Sequence, residues 1–404
     1  MIPLKMGATY DHLEAGRGMR SNIRLFYAYI FLNRLEMWLP VVVLFVQDRG
    51  FSLAQYTTLD AVWYVSTLVF EVPTGVVTDR YGKKTSLLVA AALQSCSLFM
   101  LAFAHTFLWM VFSYVLWGLA SSFETGTIDA FVYDSLKQAD KEEEYGSVRS
   151  RITTLTLLAA ALGSVTAGYL AGVRLVLPII LTASIALLLC PVILFFTEPR
   201  VSDVREPSHL LHVRESVRYL SGHRLVALLI VYSAGLATAV WGLHDFYQPL
   251  LRSFAIPVER IGVLYLLFRL SGVVGARLSD PVYRAVGNVS IYLIPLCFAA
   301  ALFCLGFLIT PWVILCVFII YFIEGFYYPI INAILNRNLP SGKRATIISL
   351  GSVLSCLMGA VLYPILGNIA DLFSLQTTFK VMGWGMLICM SVVLPPLRRK
   401  MRAS

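Results

Sequence analysis

Charge is what this chain has least of. Of its 404 residues, 14% are charged and 58% are hydrophobic, and the mean hydropathy is +0.76. Soluble domains carry about 25% charged residues. A deficit spread along the whole chain makes lipid, not water, the main solvent. No polar stretch is long enough to be a catalytic soluble domain. There is no His-Glu-x-x-His, no Walker loop and no Ser/His pairing in the apolar runs, so nothing points to an enzyme. Nor is there an extramembranous domain that would let a membrane receptor read a signal. The cysteines Cys96, Cys190, Cys297, Cys304, Cys316, Cys356 and Cys389 all fall inside apolar runs. That excludes a disulfide framework and a metal-ligand spacing, and they read as buried small hydrophobes. Met1 to Arg20 have no apolar core, so no cleaved signal peptide is expected.

Long apolar runs are what the chain does have. A membrane helix needs roughly 20 apolar residues, and about twelve such helices with short loops account for nearly all of the chain. The predicted helices are Arg24–Val46, Leu53–Thr78, Thr85–Ala104, Phe107–Asp134, Ile152–Gly172 and Leu175–Thr197, then Leu225–Leu250, Val258–Ser279, Val289–Thr310, Pro311–Asn336, Ala345–Gly367 and Leu375–Leu397. Only Thr310-Pro311 marks the division between the ninth and tenth. The expected fold is an all-α membrane protein. Its two six-helix bundles, residues 1–197 and 225–404, flank a cytoplasmic linker, 198–224, in which Leu210, Leu211, Val213, Val217 and Leu220 suggest an amphipathic helix.

The net charge of +9 would suit nucleic acid if the cations formed one footprint. They collect instead in alternate loops. The side opposite the termini holds only Arg49, Arg174, Arg252, Arg260 and Lys380. This places both termini in the cytoplasm and excludes a nucleic-acid partner.

The most informative stretch is Gly75-Val76-Val77-Thr78-Asp79-Arg80-Tyr81-Gly82-Lys83-Lys84, a charged turn between the second and third helices. It resembles the signature loop of the major facilitator superfamily of secondary transporters. The two halves also look like weak repeats: Glu124-Thr125-Gly126 in the fourth helix mirrors Glu324-Gly325 in the tenth. The resemblance implies rocking of two halves about a cleft lined by the first, fourth, seventh and tenth helices. It also implies a cytoplasmic latch, in which Asp79 holds the start of the eleventh helix and the cations Arg80, Lys83 and Lys84 meet Asp134. In the fifth helix, Gly163-Ser164-Val165-Thr166-Ala167-Gly168 resembles a worn glycine-proline motif of drug–proton antiporters, with Ser164 where proline is expected. Plain close packing would also use such small residues.

Charge inside lipid costs about 2.5–3.5 kcal/mol per residue, so each instance needs a reason. The third, sixth, ninth and twelfth helices have none in their interiors, which fits the lipid-facing place that the resemblance implies for them. We expect one ion pair per half, Arg34 with Glu124 and Arg269 with Glu324; each either neutralises a buried charge or takes part in coupling. Glu36, two residues beyond Arg34, should point to nearly the opposite face of a continuous helix. It has no partner evident in the sequence, and an unpaired carboxyl in a low-dielectric cavity can exchange a proton, so Glu36 and Asp129 are the leading proton-carrier candidates; the alternative is that each caps a neighbouring polar group. Trp38, Trp117, Trp241 and Tyr327 supply aromatic walls, and Asp245 and Asn332 polar contacts, for a bulky and partly apolar or cationic substrate.

The resulting expectation is a bacterial inner-membrane transporter, a functional monomer with no metal or cofactor beyond the proton gradient. Its task is proton-coupled efflux of a drug-like compound, antibiotic or amphipathic metabolite. The alternative is uptake of a small metabolite by proton symport.

Overall fold

The computed structural model describes residues 21–199, 220, 222–339 and 344–403. The expected amphipathic helix of the linker lies outside the described residues. Among those described, the chain is helical without strands. In order, the helices are α1 (21–33), α2 (Val42–Asp48), α3 (Leu53–Tyr81), α4 (Lys83–Phe103), α5 (Phe107–Glu124), α6 (Thr127–Gln138), α7 (Tyr145–Val173), α8 (Leu177–Leu194), α9 (Arg224–Ser253), α10 (Val258–Val286), α11 (Ser290–Phe307), α12 (Ile314–Asn338), α13 (Arg344–Leu372) and α14 (Leu375–Ala403). Of these stretches, 10 are long and apolar enough to cross a membrane, and one of them, Val258–Phe307, holds two successive helices. With the interrupted first segment, α1 and α2, this matches the expected twelve crossings.

The stops are local. Gly82 (φ 91) ends α3 and Gly287 (φ 63) ends α10, both in the left-handed region that favours glycine. Thr106 accepts from Trp109 N at 3.5 Å before α5, and Thr310 accepts from Trp312 N at 3.4 Å before α12. Ser52 and Gln55 cap α3 reciprocally, Ser52 N to Gln55 Oε1 at 2.9 Å and Gln55 N to Ser52 Oγ at 3.2 Å.

Two predicted helices are broken. The first stops being helical from Arg34 to Val41. Its amides fall back on short-range bonds, Leu35 N to Leu32 O at 3.3 Å and Leu39 N to Glu36 O at 3.3 Å. Pro40 has no amide to give, so the ladder cannot close there. Val43 N is satisfied by Gln248 Oε1 at 3.1 Å. The fourth predicted helix is split at Thr125-Gly126, where Gly126 takes φ 76. Hydrophobic runs do not reveal such breaks, because the apolar pattern continues across them.

The chain clusters into two compact units. One holds the described residues of Met1–Val42 and Val65–Val204, the other those of Val43–Tyr64 and Arg205–Ser404. Helix α3 thus contributes its first part to the second unit and the rest to the first. In the first unit an aromatic core joins α1 to α6, with Phe26 and Phe131 5.8 Å apart and Phe131 and Phe196 4.9 Å apart. In the second, α10 and α12 pack backbone to backbone through Gly272, Gly275 and Gly325. The helices without charge in their interiors expose apolar side chains, among them Leu187, Leu188, Leu296, Ile388 and Val392. On membrane spans these face acyl chains rather than water. The seven cysteines are unpaired, and Cys96 and Cys297 are exposed, not buried as expected. On such apolar helix faces a thiol needs no protein cover.

Candidate functional site

In the first unit both breaks carry charge. Arg34 stands where α1 ends, and Glu124 is the last residue of α5. Arg34 Nη2 donates to Glu124 Oε1 at 2.7 Å, the expected pair. Asn33 Nδ2 donates to the same oxygen at 2.8 Å. Glu36 is placed differently from the expectation. Because the backbone is no longer helical after Arg34, Glu36 turns back and its Oε1 lies 3.4 Å from Arg34 Nη1. Asp129 is also partnered: it forms an ion pair with Arg149 at the start of α7, and both side chains are about half exposed. Neither is the unpaired buried carboxyl that sequence reasoning sought. Trp38 meets Trp117 edge to face at 4.7 Å beside this cluster.

Gly163 explains how the broken backbone fits. A Cβ there would lie 2.8 Å from the Leu35 carbonyl oxygen, between Arg34 and Glu36. Gly168 is buried further along α7. We expect Gly163→Ala to displace Leu35 and lower transport at least about tenfold, as small misplacements near a working site do, with folding retained; a transport assay on purified protein in vesicles checks this.

In the second unit Arg269 Nη1 lies 3.9 Å from Glu324 Oε1. Its Nη2 donates to Tyr265 OH at 2.8 Å, and its guanidinium lies 5.2 Å from the Tyr265 ring centre and 5.8 Å from that of Tyr321. The pair has a third member that the sequence did not reveal: His244 Nε2 lies 3.5 Å from Glu324 Oε2. The His244 ring stacks on Tyr321 at 4.9 Å and neighbours Trp241 at 5.0 Å. Trp241 is 47% exposed, and Tyr327 is buried. Asn332 is half-buried. Asp245 is buried, and among the described residues its Oδ2 has no hydrogen-bond partner.

The signature loop is held more firmly than its sequence suggests. Lys83 Nζ forms an ion pair with Asp134, as expected. Lys84 Nζ donates to Leu194 O at 2.7 Å. The new element is Glu198, whose two oxygens accept from Lys83 N at 2.7 Å and Lys84 N at 2.8 Å. An anion at this helix start satisfies free amides and meets the positive end of the dipole. Gly82 is needed twice over, for its φ of 91 and because a Cβ would sit 2.6 Å from the Glu198 carboxyl carbon. Asp79 and Arg80 are exposed, and Arg80 lies 5.4 Å from the Tyr81 ring centre. Gly75 lies within α3, where a Cβ would meet nothing within 4 Å. Residues 340–343, just before α13, lie outside the described residues.

Repeated membrane crossings, interrupted helices and charged clusters in each of two units define a multi-pass transport protein. Non-helical backbone at membrane depth occurs where it is buried in protein or lines a polar path. The chain belongs to the major facilitator superfamily: the model described as Major Facilitator Superfamily matches residues 26–363. It is 24% identical over 380 residues to the MFS-type transporter YxaM of Bacillus subtilis (strain 168), itself described as uncharacterized, covering 90% of this chain and 93% of that one. It is 24% identical over 172 residues to the quinolone resistance protein NorA of Staphylococcus aureus, covering 42% of this chain and 43% of NorA. The fold matches the crystal structure of the nucleoside transporter NupG with TM-score 0.77 at 15% identity, over 92% of this chain and 98% of that chain. It also matches a bacterial homologue of the human lysosomal transporter Spinster with TM-score 0.73 at 14% identity, over 97% of both chains. The chain is a transporter of small molecules and not an enzyme.

Proposed function

We propose that this transporter exports a drug-like compound, antibiotic or other amphipathic metabolite against the proton gradient, by alternating access and as a monomer in the bacterial inner membrane. The observation that carries the reading is the Arg34–Glu36–Glu124 cluster, held where two membrane-spanning segments lose their helical backbone. Such a cluster is costly in lipid and has an obvious use in binding substrate and exchanging protons. In the second unit, Glu324 among Trp241, Tyr265 and Tyr321 offers a carboxylate beside aromatic rings, chemistry that suits an amphipathic cation. The likeness to NorA over part of the chain and the small residues of α7 favour export over uptake.

Everted vesicles test this. With an acid lumen they should accumulate a fluorescent amphipathic cation, and a protonophore should abolish the accumulation. Uptake into right-side-out vesicles driven by external acid would instead establish symport. A growth-inhibition screen in cells lacking their own pumps identifies the substrate.

A further inference from the structure

The first unit holds another polar site, at the end that carries the signature loop. A cavity of about 430 Å³ lies between the start of α1, the end of α6, the turn after it and the start of α7. Ligand pockets span about 300–1,000 Å³. Its walls are fixed. Asn22 Nδ2 donates to Ser135 Oγ at 3.2 Å, which ties α1 to α6. Leu136 and Val148 line the cavity and belong to the same core as Phe26 and Phe131. All of these residues lie within the first unit.

Three cations line the cavity: Arg24 of α1, Lys141 of the turn and Arg151 of α7. One carboxylate, Glu144, lines it too and is taken by Lys141. Three against one leaves an excess of positive charge in one cavity, where like charges repel unless an anion joins them. Among the described residues, Arg24 and Arg151 form no ion pair, whereas Arg149, beside them in sequence, is paired with Asp129. The topology signal alone asks only for cations spread over loops, not for two guanidiniums on one cavity. Guanidinium forks match phosphate oxygens in shape as well as charge. Tyr27 adds a hydroxyl on an amphipathic ring of the kind that settles at headgroup level.

The run of α7 separates a lipid from a free anion. Its 29 residues, at about 1.5 Å each, exceed the roughly 30 Å of hydrocarbon, so one end reaches headgroup level. Arg151 stands in its second turn. Leu155, Leu158 and Leu162 follow at helical spacing on the same face. Leu155 packs on the core, while Leu158 is 52% and Leu162 55% exposed. A cationic cavity therefore continues into an apolar stripe.

We propose that this cavity holds the phosphate of an anionic phospholipid, gripped by Arg24 and Arg151, with an acyl chain along the Leu158 and Leu162 face of α7. Basic pockets between membrane helices bind such headgroups. The bound lipid would join α1 to α7, the helices that also meet where Gly163 packs on Leu35. The inference depends neither on the direction of transport nor on proton coupling, and the Arg34 and Glu324 clusters take no part in it.

The test titrates the purified full chain in neutral detergent and counts bound lipid by native mass spectrometry. Phosphatidylglycerol should bind, and Arg24→Gln with Arg151→Gln should weaken its binding roughly 30-fold, the loss expected for two cation contacts. Lys137→Gln with Arg149→Gln removes the same charge from the same end outside the cavity and should change binding less than about threefold, because exposed charges are screened. Arg24→Lys with Arg151→Lys keeps the charge and loses the forks; it should fold and bind at least about threefold more weakly than wild type. If the glutamine variant does not fold, the lysine variant decides, and wild-type affinity there overturns the proposal. Phosphatidylcholine of the same chain length should bind at least about tenfold more weakly than phosphatidylglycerol. Equal affinity for the two lipids, or equal binding by wild type and the glutamine variant, overturns the proposal. Inorganic phosphate should neither bind nor displace the lipid at the same concentrations; if it does both and depends on Arg24 and Arg151, the occupant is a free anion and the lipid assignment fails.

Discussion

Glu124→Ala is expected to abolish transport and to destabilise the protein by about 2 kcal/mol, below the cost for a fully buried pair because the Arg34 side chain it strands is 30% exposed. Arg34 would keep only Glu36, at 3.4 Å, in place of the 2.7 Å bond to Glu124, and Asn33 would lose its acceptor. The informative comparison is the double change Arg34→Met with Glu124→Leu. Replacing a buried ion pair by apolar groups of similar volume is often neutral or stabilising by about 1–4 kcal/mol. The double variant should therefore recover part of the thermal stability lost in Glu124→Ala, short of wild type because Asn33 and Glu36 lose these partners, yet remain unable to transport. That outcome separates the two roles that the sequence left open. If the double variant transports as well as wild type, the pair only neutralises charge, and the cluster loses its place in the mechanism. If it stays as unstable as Glu124→Ala, the remaining carboxyl of Glu36 accounts for more of the local electrostatics than the geometry implies.

The features legible in the sequence were those that depend on residue type and coarse depth. A lone arginine inside an apolar run has to find an acid, so Arg34 with Glu124 and Arg269 with Glu324 followed from cost alone. Lys83 with Asp134 came from the resemblance, and the structure places them together. The reading of Glu36 went astray because it assumed an unbroken helix. Pro40 was the available signal: it removes an amide from the middle of the run. Gly126 gave a weaker one, since glycine inside a membrane helix serves close packing as often as a turn, and Gly325 in the mirrored position does pack within an unbroken helix. Other partnerships across helices left no trace. His244 beside Glu324 and Glu198 on the amides of Lys83 and Lys84 each join residues far apart in the chain. Their register depends on helix rotation, which a hydrophobic run alone does not fix.

Gly325→Ala should cost this protein much of its stability. A Cβ at Gly325 would lie 1.8 Å from the Gly272 carbonyl oxygen, and one at Gly275 would lie 2.1 Å from the Phe322 carbonyl oxygen. Both obstacles are backbone, so no rotamer change relieves them; α10 and α12 must part. Overpacking ordinarily costs about 1–3 kcal/mol, and a backbone clash belongs at the upper end of that range. In lipid the loss is not recovered by hydrophobic burial, because such interfaces depend on close van der Waals contact between small residues. The consequence reaches the site. Arg269 and Glu324 already stand 3.9 Å apart, so separating their helices breaks the pair and leaves Glu324 with His244. Gly385→Ala is the matched control. Nothing lies within 4 Å of a Cβ there, and alanine in a helix interior is favoured over glycine by roughly 0.5–1 kcal/mol. Thermal midpoints should therefore fall for Gly325→Ala and hold or rise for Gly385→Ala. Equal midpoints would mean that α10 and α12 do not approach as closely as their glycines allow.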